Sequence, residues 1–188
     1  MDEPSGITFS CTMDTFVRKR TRNYWILYLL LPLAMSVFIA LLPGPTPFEV
    51  KAVLSMGAVV YIGSVLYLFM LIPLRYVVTS SEIVIVRRGR NASIPLASVT
   101  DIQHRDFDYI FRGALGGGTA HGWYGFLGEW YGEHIKDFFA FAVRKDNLVV
   151  IVVKGRVPDA VLSPDDVEGF ISAVKEQMAS GQHQMSSA

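Results

Sequence analysis

Leu162-Ser163-Pro164-Asp165-Asp166-Val167-Glu168-Gly169-Phe170 marks the passage from a strand into a helix, and the fold of the chain is read outward from it. Ser163 offers the hydroxyl of an N-cap, which accepts a hydrogen bond from an orphan N–H of the first helical turn. Pro164 suits the first helical position, where a missing N–H costs nothing. Asp166, three residues after the cap, completes a capping-box-like start. Val167, Phe170, Ile171, Val174 and Met178 then recur at helical spacing as one apolar stripe, with Glu168, Lys175 and Glu176 facing away from it. The pattern predicts one amphipathic helix lying against sheets. Residues 180–188, rich in Gly, Ser and Gln, are expected to fray.

Upstream, the pattern is that of short strands. Residues 76–79, 83–88, 92–96 and 98–103 are predicted strands, with polar turns at Ser80-Ser81-Glu82 and Gly89-Arg90-Asn91. Pro95 confines the third to an edge or a strand end. Residues 138–143 and 148–153 flank Arg144-Lys145-Asp146-Asn147 and are expected to pair as a β-hairpin. Residues 159–162 form a seventh strand. Near the N-terminus Ile7, Phe9, Cys11 and Met13 alternate with Thr8, Ser10, Thr12 and Asp14. That alternation reads either as a strand over 7–13 added to an exposed sheet edge or as a loose tail.

Seven short strands followed by one helix is the order of a pleckstrin-homology-like domain. Gly122-Trp123-Tyr124-Gly125-Phe126-Leu127-Gly128, Phe138-Phe139-Ala140-Phe141-Ala142 and the 162–170 stretch together resemble the prokaryotic PH-domain family over residues 75–178. The resemblance implies an α+β fold, a PH-like seven-stranded β-sandwich or barrel capped by a C-terminal helix. It implies membrane attachment as well, since members often carry one or two spans ahead of the domain. It implies no established reaction, so a non-catalytic interaction domain is expected.

Composition divides the chain in two. Only 18% of residues are charged and the mean hydropathy is +0.35, too apolar for a uniformly soluble domain, in which roughly 25% are charged. Between residues 24 and 74 only Glu49 and Lys51 are charged, whereas residues 76–188 hold 24 charges. Residues 24–42 and 52–74 are uncharged runs of 19 and 23, long enough to cross a hydrocarbon core of roughly 30 Å. Pro43-Gly44-Pro45-Thr46-Pro47 separates them, which predicts a transmembrane hairpin of antiparallel helices. A cleaved signal peptide fits less well, because the first run exceeds an h-region and no A-x-A-like site follows. Arg18, Lys19, Arg20 and Arg22 precede the hairpin and Arg75, Arg87, Arg88 and Arg90 follow it, so both termini are expected in the cytoplasm. The expected organisation is a cytoplasmic segment (1–23), the hairpin (24–74), a PH-like domain (75–179) and a tail (180–188), forming a multi-pass cell-membrane protein.

The net charge of +0 argues against nucleic-acid binding, and a single cysteine, Cys11, excludes an internal disulfide or a CxxC site. No cofactor is expected. The unusual segment is residues 104–136, with eight glycines and the aromatics Phe107, Tyr109, Phe111, Trp123, Tyr124, Phe126, Trp130 and Tyr131. It is too long for an ordinary connection and too aromatic for disorder. Its rings either complete the core, or face the membrane interface and the base of the hairpin, or form a ligand or partner site; the last two readings are compatible. Trp123, Tyr124, Phe126 and Trp130 are the candidates there.

Arg87, Arg88 and Arg90 form the second candidate site. Guanidinium groups bind phosphate bidentately, and an anionic leaflet favours each basic residue by about 1 kcal/mol. The PH resemblance implies the same, because eukaryotic relatives hold inositol phosphates with basic residues in an early strand-to-strand loop. The competing and favoured reading is topological: the three arginines simply keep the domain inside. The partner classes are therefore the lipid bilayer and a protein partner or self-association, without nucleic acid.

Two alternatives remain open. One is an enzyme or metal-dependent sensor built on His104, Asp106, Asp108, His121, His134 and Asp137, whose spacing matches no known ligand motif. The other is an accessory subunit of a larger membrane complex. Gly116-Gly117-Gly118 lacks phosphate-loop spacing, and Ser163 is accounted for as a helix cap rather than a nucleophile. Asn91-Ala92-Ser93 is a glycosylation sequon that a cytoplasmic location makes irrelevant.

Overall fold

The computed structural model describes residues 5–41, 48–116, 120–121, 124–155 and 158–186. The elements in chain order are β1 (Ile7–Ser10), α1 (Thr15–Leu41), α2 (Phe48–Met70), β2 (Pro73–Val78), β3 (Glu82–Arg87), β4 (Ala92–Pro95), a 3-10 turn (Leu96–Ser98), β5 (Val99–Arg105), α3 (Phe107–Phe111), β6 (Leu115–Gly116), β7 (Ala120–His121), β8 (Phe126–Tyr131), β9 (Asp137–Ala142), β10 (Leu148–Val153), β11 (Asp159–Leu162) and α4 (Val167–Ser186). The first sheet has the order β1-β2-β3-β4; the second runs β5-β10-β11-β9-β8-β6, with β7 also on β8. The result is a mixed α+β structure with a PH-like sandwich.

Alternation within the strands of the second sheet explains the layering. Val149, Ile151 and Val153 of β10, Phe139 and Phe141 of β9, and Ala160 and Leu162 of β11 face Tyr76, Val78, Ile83, Ile85 and Ile94 of the first sheet, with Phe170 and Val174 of α4 closing that core. The intervening residues Leu148, Val150, Phe138, Ala140, Ala142 and Val161 face a second core made with Ile110 and Phe111 of α3, Phe126, Trp130 and Val17 of α1. Both faces of the sheet are covered, which is why β9, β10 and β11 read as unbroken apolar runs.

Two local expectations are corrected. Residues 138–143 and 148–153 do not pair as a hairpin: β11 lies between them, antiparallel to β10 and parallel to β9. Strands apolar on both faces carry no signature of their neighbour, so their pairing is decided by the return through Gly155 (φ +101°) and the bond from Val153 N–H to Asp159 Oδ1. The cap of α4 is Asp166, whose Oδ1 accepts from Gly169 N–H at 2.9 Å, not Ser163. Ser163 is fully buried instead: its N–H donates to the Tyr76 hydroxyl (3.1 Å), and its Oγ accepts from Val143 N–H (2.9 Å). Helix α4 continues as far as Ser186.

At the other end, β1 pairs antiparallel with β2, Ile7 opposite Val78 and Ser10 opposite Arg75, so the alternating segment forms a strand over four residues rather than 7–13. Helix α1 begins at Thr15, well before the expected span, because Asp14 Oδ1 caps it through Val17 N–H at 2.6 Å. Helix α2 ends at Met70, and Pro73 opens β2 rather than closing a span. Among the described residues no helix is long and apolar enough to cross a membrane; the side chains of much of both helices, 48–55 included, lie outside the described residues, as does the connection 42–47.

Tyr76→Phe leaves Ser163 N–H without its buried acceptor and is expected to cost about 1–3 kcal/mol. Equilibrium urea denaturation reads this as a lower midpoint with unchanged slope.

Candidate functional site

The turn between β3 and β4 carries Arg87, Arg88 and Arg90, and it is fastened to the end of α2. Gly89 N–H donates to Met70 O at 3.0 Å and Arg88 N–H to Ile72 O at 3.3 Å. A Cβ on Gly89 would stand 3.0 Å from the Met70 Cβ, so the approach of turn to helix is tight and favours glycine there. Arg88 lays its guanidinium over Phe69 of α2 at 4.6 Å. Arg87 turns the other way, over Phe141 of the second sheet at 5.5 Å. Its Nε donates to Arg90 O at 2.7 Å, and burial holds its pKa below the usual arginine value. The three arginines are thus brought to one turn, but Arg88 and Arg90 are exposed while Arg87 is half-buried.

Tyr124 stands at the base of both helices. Its ring meets Trp25 of α1 edge-on at 6.3 Å and Phe69 of α2 at 6.0 Å, and its N–H donates to Thr21 Oγ of α1 at 2.9 Å. Ile72, Leu127 and Val143 complete this small cluster. The backbone is left-handed at Tyr124 (φ 59°) and also has positive φ at Gly125 (136°), where a Cβ would strike Ala142 O at 2.2 Å. Of the remaining aromatic candidates, Phe126 and Trp130 are buried in the second core and do not face an interface. Trp123 lies outside the described residues. The described part of 104–136 is therefore a covering layer from which Tyr124 and Leu127 pack towards the helices.

The N-terminal segment binds this base to the sandwich. Thr12 donates from its N–H (3.0 Å) and its hydroxyl (2.9 Å) to Asp165 Oδ1, which also receives Arg144 Nη1 at 2.8 Å. Asp165 N–H donates back to Ser10 O at 2.9 Å. Burial pushes the Asp165 carboxyl up, but these bonds outweigh it and hold the group below the ordinary aspartate range. Asp14 Oδ2 accepts from Lys145 N–H at 2.7 Å, so one carboxylate caps α1 and grips the 143–147 loop. Sequence reasoning missed Asp14 and Asp165; a short Asp just before a long apolar helix was the available signal for the first.

The histidine and aspartate candidates do not gather. His104, Asp106, Asp108, His134 and Asp137 are exposed, and the His121 side chain lies outside the described residues. Among the described residues no three of His, Cys, Asp or Glu could hold a metal ion. His134 stacks on Tyr109 at 4.9 Å, and both border an outer groove of about 450 Å³ with Arg105, Lys136, Asp137 and Asp159. The mixed charge gives that groove no single ligand chemistry.

Residues 74–178 match the family described as the bacterial PH domain, more than half of the chain. The protein belongs to that family. No curated protein and no solved structure matches the chain.

Burial raises the Cys11 thiol to about 12 from 9.0. The folded state favours the protonated thiol, so its contribution to stability is complete below pH 9 and is lost as pH rises from 9 towards 12. The stability of the wild-type protein is expected to fall more steeply above pH 9 than that of Cys11→Ser, measured by urea denaturation across pH 7–10.

Proposed function

We propose that the protein is a non-catalytic, membrane-embedded member of the bacterial PH-domain family. In this reading α1 and α2 form the transmembrane hairpin and hold the sandwich against the cytoplasmic leaflet. The observation that carries the reading is the arginine turn fastened by Gly89 to the last turn of α2. If that end of α2 lies at the membrane surface, Arg88 and Arg90 meet the phosphates of anionic lipid, where each contributes about 1 kcal/mol. Exposed apolar side chains along both helices, Ile26, Leu30, Leu31 and Phe38 on α1 and Met56, Val59, Val60, Ile62 and Leu66 on α2, support the membrane reading. So do the uncharged runs of residues 24–42 and 52–74 in the sequence, since about 20 apolar residues cross a hydrocarbon core. Protein partners belong to the same reading, as the exposed sides of the helices suit packing on other helices.

The test is made on the full chain in nanodiscs containing dansyl-labelled phosphatidylglycerol or phosphatidylcholine. Energy transfer from the protein's tryptophans is expected to favour phosphatidylglycerol. Arg88→Glu with Arg90→Glu is expected to weaken that preference by at least about fivefold per charge removed. An unchanged preference rejects lipid contact by this turn.

A further inference from the structure

Arg87 is separated from its two neighbours by what it faces. A cleft of about 410 Å³ opens between the sheets, walled by Ile85 of β3, Ala92 and Ile94 of β4, Phe139 and Phe141 of β9, and Ala160 of β11, with Arg87 among its lining. Apolar walls with a few polar groups, in a volume of roughly 300–1,000 Å³, are the usual form of a small-molecule site. Arg87 is half-buried, and among the described residues no carboxylate pairs with it; the ion pairs there are Arg112–Asp108, Arg144–Asp146 and Arg144–Asp165. A partly desolvated cation without a counter-charge beside an apolar cavity selects a ligand that is anionic at one end and apolar along its length. Taking the ~30 Å³ share of one water as the unit, the cleft holds on the order of a dozen heavy atoms, room for one alkyl chain.

We propose that the cleft binds a single-chain fatty acid, its carboxylate on the Arg87 guanidinium and its chain between Ile94 and Phe139. A carboxylate matches the planar fork of arginine bidentately. The proposal rests on the membrane reading only for its source of ligand, since the end of α2, to which the turn is fastened, would bring the cleft close to the bilayer. Arg88 and Arg90 take no part in it.

The full chain, labelled with ¹³C at isoleucine methyls, is placed in phosphatidylcholine nanodiscs. Dodecanoate bearing a nitroxide on its chain is added in one arm and its uncharged methyl ester in the other. The acid is expected to broaden the methyl signals of Ile85 and Ile94, which line the cleft, and to spare Ile110 and Ile135 of the other core. The ester should require about tenfold higher concentration, as should the acid with Arg87→Gln. Ala92→Phe fills one wall and should abolish the broadening, with unchanged Ile110 and Ile135 shifts reporting an intact fold. If that variant fails to fold, the acid-against-ester comparison in the wild type decides. Absence of broadening at Ile85 and Ile94, or equal broadening by acid and ester, overturns the proposal. The phosphatidylglycerol preference, measured with Arg88→Glu and Arg90→Glu in the dansyl-labelled discs, fails or stands independently of either result.

Discussion

One buried hydroxyl ties the sandwich together. Tyr76 of the first sheet donates to Phe141 O of the second at 2.6 Å and accepts from Ser163 N–H at 3.1 Å, all within the core. A buried polar group is stabilising only when its partners are in place, and here three chain segments must be in register for that to hold. With Ser163 fixed, residues 163–166 pass beneath the 143–147 loop, and Asp165 is delivered to Thr12 and Arg144. That contact in turn holds the N-terminal segment where Asp14 can begin α1. The placement of the first helix thus follows from a tyrosine more than fifty residues away.

The second sheet shows how a small domain gains a core on each face. Its first-sheet side is the sandwich; its other side would be bare without residues 104–136. Phe111 packs on Trp130 at 5.1 Å and on Phe126 at 4.9 Å, and Val17 from the first helix joins the same cluster. Each aromatic ring buries a large apolar surface, so the layer contributes both stability and a socket for the helices. Tyr124 is where the two uses meet, one side of the layer touching Trp25 and Phe69.

Seven strands were legible as short apolar runs between turn residues, and Asp166 with the Val167–Phe170 spacing announced the final helix, whereas β6, β7 and β8 inside the glycine-rich 104–136 segment were not. Neighbour relations were not legible. Ser163 has the chemistry of a cap, but a polar partner 87 residues away, Tyr76, claimed its backbone N–H, and the Val143 N–H claimed its hydroxyl. In the same way β9 and β10 carry every local sign of a hairpin, and only the insertion of a later strand separates them. Of the candidate residues, the three arginines fall together at the end of β3 and the turn after it; that Arg87 turns towards a cavity and Arg88 towards a helix depends on packing from three different elements. For Trp130 and Phe126 the sequence left core, interface and ligand site open, and alternation along β8 sends them into the core.

The position of β11 has a consequence for the order in which the molecule can be completed. Among the described residues, β5 and β10 on one side and β9, β8 and β6 on the other are hydrogen-bonded into one sheet through Asp159–Leu162. Any nascent chain that stops short of this segment owns two unconnected half-sheets with facing unpaired edges, and such edges are sticky. Synthesis from the N-terminus therefore produces the helices first and the keystone strand almost last. From the synthesis of Val99 until residues 159–162 follow, the second sheet stays open, and β11 is the strand that unites its two halves.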